Sequence, residues 1–373
     1  MRLDPERVRA IAAEQGFDLV RFGPAHPGDH ADRYKAWLDA GHHGSMQWLA
    51  DWRDKIADPS TWAREPTSAI TLAFDYGRDG VHLEGGGRIA RYAFGRDYHR
   101  ALGNKVRRIR RHLEAEGVPF GSIDIGTDSI PILERALAAR SGIGFLAKSA
   151  GIISPTLGPY LLLSELLTPL DLPFDDSSPG SCGTCTRCID ACPTGAIVEP
   201  FRVDARRCLS YTTIELRGSI PVELREPQGE WLFGCDVCLE VCPFANTRGR
   251  AANPLATPRE ELRPHAVVEA ATLVGILHLS EAEFETQWTG TPLRRATHAG
   301  LRRNAAVVLG NLGDESAMPA LITALADDSA IVREHAAWAI GRIDPRSDCL
   351  ERALMSETET EVRAALVAAL ARR

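Results

Sequence analysis

The 373 residues lack any apolar run of membrane length: the longest uncharged apolar stretch near the middle, Gly158 to Ser164, is far short of the roughly 20 residues a spanning helix needs. Neither an apolar h-region nor a twin-arginine pair follows Met1, Arg2 and Leu3, so a cytoplasmic protein without a membrane partner is expected. Positive charge is not in excess. The balance of 43 Lys and Arg against 50 Asp and Glu, a net charge of -7, argues against a chain that coats nucleic acid indiscriminately. No Walker motif or GxGxxG follows a strand, so nucleotide binding has no support, and Gly85 to Gly87 reads as a flexible turn. With 44% hydrophobic and 25% charged residues, the chain is not disordered, collagen-like or a small disulfide scaffold. Its length suits two or three domains.

Cysteine is scarce everywhere except one segment. Eight of the nine cysteines lie between positions 182 and 242. The first run is Cys182, Cys185, Cys188 and Cys192, followed by Pro193; the second is Cys235, Cys238 and Cys242, followed by Pro243; Cys208 stands between them. Disulfides are rare in the cytosol, so the cluster reads as metal ligands, and its intervals do not match a zinc knuckle. They match the bacterial ferredoxin pattern, in which three thiolates hold one cubane and the fourth reaches across to the other. A two-residue gap lets a tight loop aim three sulfurs at one cluster, while the longer step into a helix turns the fourth away. Crossover assigns Cys182, Cys185, Cys188 and Cys242 to one 4Fe–4S cluster, and Cys192, Cys208, Cys235 and Cys238 to the second. The competing reading is one cluster plus spare thiols. Cys349, in an Ala-rich tail, reads as a small core residue. Two clusters conduct electrons but do no substrate chemistry, so another part of the chain must consume the current.

Residues 1–170 read as mixed α and β. A helix is expected over Leu3 to Gly16, then strands at Phe17 to Phe22 and Ala69 to Tyr76, a basic helix over Asp97 to Glu116, a strand at Ile123 to Ile125 and a helix at Leu133 to Arg140. Gly151 to Ser154 and Tyr160 to Leu163 read as a hairpin turning at Thr156 to Gly158. A linker from Asp171 to Gly180 leads into the cluster domain, residues 171–250. In residues 251–373, the segment Leu301 to Gly310 aligns with Val332 to Gly341, and a third copy starts at Val362. Such self-similarity indicates stacked helix pairs like short HEAT repeats. Two basic patches occur, Arg100, Lys105, Arg107, Arg108, Arg110 and Arg111, and then Arg294, Arg295, Arg302 and Arg303; each reads first as a solvated helix face.

Several segments together resemble the epoxyqueuosine reductase family: Gly95 to His99, Asp128-Ser-x-Pro131, Gly142 to Lys148, the cysteine block, Val203 to Cys208, and Tyr211 with Ile214 and Glu215. The resemblance spans nearly the whole chain. It implies an α+β architecture: an N-terminal cobalamin-binding α/β domain like that of reductive dehalogenases, a ferredoxin-like domain with two 4Fe–4S clusters, and a C-terminal helical HEAT-like tail. It implies an oxidoreductase that converts epoxyqueuosine to queuosine at the wobble position of tRNA, with electrons from an external one-electron donor passing through both clusters to base-off cobalamin. Asp128 falls at the family's proton donor, a role that calls for a raised pKa in a site away from cations; the residues alone allow instead a helix cap near Pro131.

The corrin-facing positions implied are Ala90, Tyr98, His99, Asp128, Lys148, Ile152, Ser154, Leu163, Ser210 and Asp236, though His99 also fits a core histidine. Ile56 and Ser149 stand where relatives commonly carry Arg and Asn. The second basic patch, Arg294, Arg295, Arg302 and Arg303 with Asn304, would hold tRNA phosphates, leaving base selection to the pocket. A complete ligand set within one chain makes a monomer sufficient. Competing functions are another cobalamin-dependent reductase, or a two-cluster electron carrier with a docking tail.

Overall fold

The structure, a computed structural model, describes residues 3–77, 82–246, 259–260 and 263–373. Two compact units share the chain: residues 1–78, 97–206 and 237–262 form one, and residues 79–96, 207–236 and 263–373 the other. The expected boundary at 250/251 lies outside the described residues. No described helix is long and apolar enough to cross a membrane.

The first unit contains α1 (Pro5–Glu14), β1 (Leu19–Pro24), β2 (Ser68–Asp75), α2 (Tyr98–Ala115), β3 (Asp124–Gly126), α3 (Glu134–Arg140), β4 (Phe145–Leu146), β5 (Ile152–Ile153) and β6 (Leu161–Thr168). Asp4 caps α1 through the amide of Glu6, and the chain leaves the helix at Gly16, whose φ of 84° suits a residue without a Cβ. An antiparallel sheet of order β1-β2-β6-β3 forms the centre. Alternation along its strands divides the side chains between two faces. Ile70, Leu72, Phe74 and Leu166 pack with Val8 and Ile11 of α1 and with Leu102, Val106 and Ile109 of α2. The opposite face presents Ala69 and Leu167 to Leu137 of α3, and Ala73 and Leu163 to Ala138, Ile143 and Ile152.

One expected element is corrected. Residues 151–163 do not form a strand hairpin: β5 pairs with β4, whereas β6 lies between β2 and β3 in the sheet. Only a bridge between Ser154 and Gly158 joins the two arms. β6 is buried along most of its length, and long-range pairing with β2 satisfies its backbone better than its sequence neighbour does.

In the second unit, α4 (His298–Leu312), α5 (Ala330–Ile343) and α6 (Thr360–Leu370) carry the three aligned segments. The repeat glycines mark where helices approach closely. A Cβ at Gly310 would stand 2.8 Å from Ala339 Cα, and one at Gly341 would stand 2.5 Å from Ala369 Cβ.

Candidate active site and iron–sulfur ligands

α2 begins with an acid, a phenol and an imidazole in succession. Asp97 caps the helix, its Oδ1 accepting from the His99 amide at 3.0 Å and lying 2.8 Å from His99 Nδ1. The other ring nitrogen of His99, Nε2, is 3.4 Å from Asp128 Oδ2, and the Tyr98 hydroxyl donates to that same oxygen at 2.6 Å. Tyr98 and His99 stack with centroids 4.1 Å apart. Asp128 sits just beyond β3 at φ 50°, a left-handed conformation that costs a non-glycine residue energy and is found where the surroundings enforce it. The Thr127 hydroxyl, 2.7 Å from that of Ser164, ties this loop to β6.

The helix-cap alternative for Asp128 fails, because α3 starts at Glu134 and its N-cap residue, Leu133, makes no side-chain cap. His99 is no core histidine either; its side chain is 41% exposed and bridges two carboxylates. The expectation of a raised Asp128 pKa away from cations is also corrected. Burial pushes it up, but the hydrogen bonds from His99 and Tyr98 and the positive charge of His99 outweigh burial and hold it below the usual carboxylate value. Burial likewise pulls His99 down, but hydrogen bonds to Asp128 and Asp97 and their charges lift it to about 9. At neutral pH the proton of this network therefore resides on His99 and Asp128 is an anion.

Two further acids lie close by. Glu134, at the start of α3, is pushed up to about 7 by burial and by the charge of Asp128. Glu165 on β6 is 1% exposed with neither carboxyl oxygen hydrogen-bonded among the described residues, and burial followed by the charges of Glu134 and Asp128 raises it well above its usual value. A lone acid inside the apolar run Leu161 to Leu167 was the available sequence signal for Glu165.

The remaining corrin-facing expectations divide into separate groups. Ile152 and Leu163 belong to one packed cluster, and Ser154 is buried with its hydroxyl 3.1 Å from that of Thr156. The Lys148 ammonium donates to the carbonyls of Gly183 at 2.8 Å and Cys185 at 3.0 Å, anchoring the cysteine loop. In the second unit, Ala90 is buried and its amide donates to Phe233 O at 2.8 Å. Asp236 is buried there too, accepting from the Arg91 amide at 2.8 Å, and Ser210 is half-buried on the helix Leu209–Ile214.

None of the nine cysteines forms a disulfide. Cys182, Cys185, Cys188 and Cys242 belong to the first unit. Burial pushes the Cys188 and Cys242 thiols up, and charge on the neighbouring thiols of this set pushes them further. Mutual repulsion of this kind is what a cationic iron cluster relieves. Backbone amides already point at sulfur, Lys148 N at 3.4 Å from Cys182 Sγ and Ala196 N at 3.2 Å from Cys192 Sγ. Among the described residues, no three Cys, His, Asp or Glu side chains converge on a single ion; a cubane, bound at its corners, takes a wider set. Cys192 and Cys238 lie in the first unit, Cys208 and Cys235 in the second.

The second basic patch needs the largest correction. Arg303 and Asn304 are fully buried. Arg303 donates to the carbonyls of Thr212 at 2.8 Å, Leu216 at 3.0 Å and Gly218 at 2.6 Å, and Asn304 donates to those of Thr213 at 2.8 Å and Leu232 at 3.0 Å. Arg302 is 8% exposed, bonded to Leu277 O and paired with Asp327. These three residues hold the fold and present no donor to a phosphate. Arg294 and Arg295 stay partly exposed, paired with Glu285 and Glu215, and Arg217, which the spacing of the patch did not reveal, lies 3.9 Å from the same Glu215.

A sheet-centred unit with an acid network, a cysteine block built for iron and a helical repeat tail define an iron–sulfur oxidoreductase. Models of known families match three segments: "Epoxyqueuosine reductase QueG, DUF1730" over residues 57–129, "4Fe-4S double cluster binding domain" over residues 181–245, and "HEAT repeats" over residues 291–371. The epoxyqueuosine reductase of Xanthomonas campestris is 39% identical over 344 residues, covering 90% of this chain and 95% of that one; the Escherichia coli enzyme is 33% identical over 365 residues, covering 96% and 94%. Among solved structures, an epoxyqueuosine reductase with a tRNA-Tyr epoxyqueuosine-modified stem loop superimposes with a TM-score of 0.86 at 29% identity, covering 98% of each chain. The Bacillus subtilis enzyme, in a form with its catalytic aspartate loop swung out of the active site, does so with a TM-score of 0.86 at 30% identity, again covering 98% of each. The chain belongs to the epoxyqueuosine reductase family.

Proposed function

We propose that this chain reduces epoxyqueuosine to queuosine at the wobble position of tRNA, with Asp128 delivering protons to the departing oxygen. The observation that carries this reading is the carboxylate of Asp128, held on a left-handed loop between the Tyr98 hydroxyl and the His99 imidazole. Base-off cobalamin, when bound, supplies the low-valent metal nucleophile that such a reduction requires. The residues fit that form of the cofactor, because Asp97 and Asp128 take both ring nitrogens of His99 and leave neither for cobalt. Tyr98 and His99 would flank it, with Ile152 and Leu163 forming apolar packing and Ala90, Ser154, Ser210 and Asp236 as further contacts. Lys148, which also anchors the cysteine loop, would be a further contact.

An alkoxide leaves poorly, so the departing oxygen needs an acid. Asp128 acts from its anionic state by taking the proton of His99 at Oδ2 and passing it on, while Asp97 keeps the imidazole oriented. Tyr98 fixes the carboxylate throughout.

Two 4Fe–4S clusters, on Cys182, Cys185, Cys188 and Cys242 and on Cys192, Cys208, Cys235 and Cys238, bring electrons from an external one-electron donor. Residues 1–170, 171–250 and 251–373 then divide the work into catalysis, conduction and RNA contact, in a cytoplasmic monomer. Arg294 and Arg295, joined by Arg217, would meet the phosphates of the tRNA. The test is anaerobic reconstitution with iron, sulfide and cobalamin, followed by analysis of epoxyqueuosine-containing tRNA. Conversion to queuosine that Asp128→Asn slows by about 100-fold or more is expected; full turnover by that variant overturns the assignment.

A further inference from the structure

Removing an epoxide oxygen as water takes two electrons and two protons, and both protons end on the same oxygen. On the reading above, His99 and Asp128 account for one. The structure offers a source for the other on the α3 face of the sheet.

Glu165 occupies the middle of β6, on the same face as Leu163 and Leu167. It lies opposite Thr71 of β2 on one side and Gly126 of β3 on the other. Its carboxyl is buried with both oxygens unpartnered, and the facing Thr71 hydroxyl is also buried without a partner. Buried carboxyls retained for structure are hydrogen-bonded, since leaving a polar group unpaired in the core is costly. Glu165 makes no hydrogen bond among the described residues, so structural glue does not account for it. Two residues beyond Gly126 comes Asp128, and the Thr127–Ser164 hydrogen bond fastens that loop to the residue preceding Glu165. Glu134 heads α3, the helix covering this face, with its side chain 24% exposed.

We propose that Glu165 and Glu134 form a second proton store for the reaction, Glu165 holding the proton in a neutral carboxyl and Glu134 handing it to Asp128. In order, Asp128 loses its first proton to the departing oxygen. The O–H bond of Glu165 then breaks as one forms on Glu134, and that bond breaks in turn as one forms on Asp128. The Asp128 O–H breaks last, as the second O–H bond of the departing oxygen forms, which completes the water molecule. Glu165 is left anionic until solvent returns a proton through Glu134. No electron moves in these transfers; the two electrons come from the external one-electron donor. The groups that set the titration are Asp128 beyond β3, Glu134 and Arg135 on α3 and His99 on α2, while β2 contributes only the neutral Thr71 at the facing position. Burial and the Glu134 and Asp128 charges push Glu165 well above its usual value, toward the protonated form, and a Glu134 near 7 is poised to exchange in either direction.

Glu165→Gln keeps the shape and neutrality of the side chain but carries no acidic proton. The first readout uses the iron-loaded chain without cobalamin: an infrared carbonyl band of a protonated carboxyl, shifted by deuterium oxide, is expected at pH 8 in the parent and missing from Glu165→Gln. A parent spectrum without that band overturns the proposal. The second uses the fully loaded enzyme. Glu165→Gln is expected to slow turnover by about tenfold or more, toward the contribution of a positioned acid–base group, with an increased solvent isotope effect. The parent's turnover is expected to show an inflection near pH 7, the Glu134 value, and Glu134→Gln to remove it. Variants that fold and keep the parent's rate and pH profile would show Glu165 to be merely structural. If the parent itself converts no epoxyqueuosine, the functional reading fails, while the infrared band still decides whether Glu165 stores a proton.

Discussion

His99 is the residue whose charge state governs the site. Its folded pKa of about 9 lies above the ordinary 6.5, so its pairing with Asp97 and Asp128 stabilises fully below about 6.5 and is lost as pH rises through about 9. The depressed pKa of Asp128 works at the other end: its pairing is intact above the normal carboxylate range and lost only as pH falls through the lowered value. The network therefore stays assembled from mildly acidic pH up to about 9. Nitrogen NMR of the imidazole is expected to show His99 titrating near 9, and the Asp128→Asn variant to bring that value down. Turnover should fall on the basic side with the same apparent pKa. A His99 titrating at its ordinary value would mean that the two acids do not clamp it. Asp128→Asn itself is expected to lower turnover by about 100-fold or more, the span of a positioned general acid.

At the scale of elements, periodicity made the helices legible, because one face of each is apolar at a fixed spacing, and the central strands showed as short apolar runs. Pairing was not legible. β6 is apolar on both faces, so its pattern does not say which strand it joins, and the nearest segment in sequence looked like its partner. Burial of charge was hidden for a related reason. Arg302, Arg303 and Asn304 sit at consecutive positions of α4, and nothing in their identity tells that carbonyls of residues 212–218 will meet Arg303 and Asn304, or that Leu277 O and Asp327 will take Arg302. Their variants are expected to separate from those at the exposed arginines. Arg303→Met leaves several buried carbonyls unpaired and is expected to cost about 3–5 kcal/mol, seen as a lower midpoint in denaturant. The Arg294→Gln, Arg295→Gln pair is expected to leave that midpoint unchanged, weaken binding of tRNA and flatten its dependence on salt. An unaltered salt slope would return both arginines to the role of a solvated face. Packing gives a sharper check on the repeats: Gly341→Ala drives a methyl into Ala369, and overpacking of this sort costs about 1–3 kcal/mol.

Across the whole molecule, the cysteines were the most legible feature, since thiolate spacing is dictated by the cluster rather than by the surrounding fold. Crossover makes a prediction that simple counting does not. Cys242 is 54 positions beyond Cys188 in the chain, yet the charges of Cys182, Cys188 and Cys185 all act on its thiol. Its assignment is to the cluster of the first run and not to the one its own neighbours, Cys235 and Cys238, would serve. Cys242→Ala is therefore expected to lower bound iron from about eight to about four atoms per chain, one cubane of the pair. Cys192→Ala should give the same count by losing the other cluster, and Cys349→Ala, buried in the repeat core, should change nothing. The two half-loaded proteins differ in a way that tests the wiring: combined with Cys235→Ala, Cys242→Ala should strip both clusters, whereas Cys192→Ala with Cys235→Ala should remove only the one already lost. If Cys242→Ala and Cys235→Ala together left about four irons, each run would close its own cluster and the crossover would be wrong.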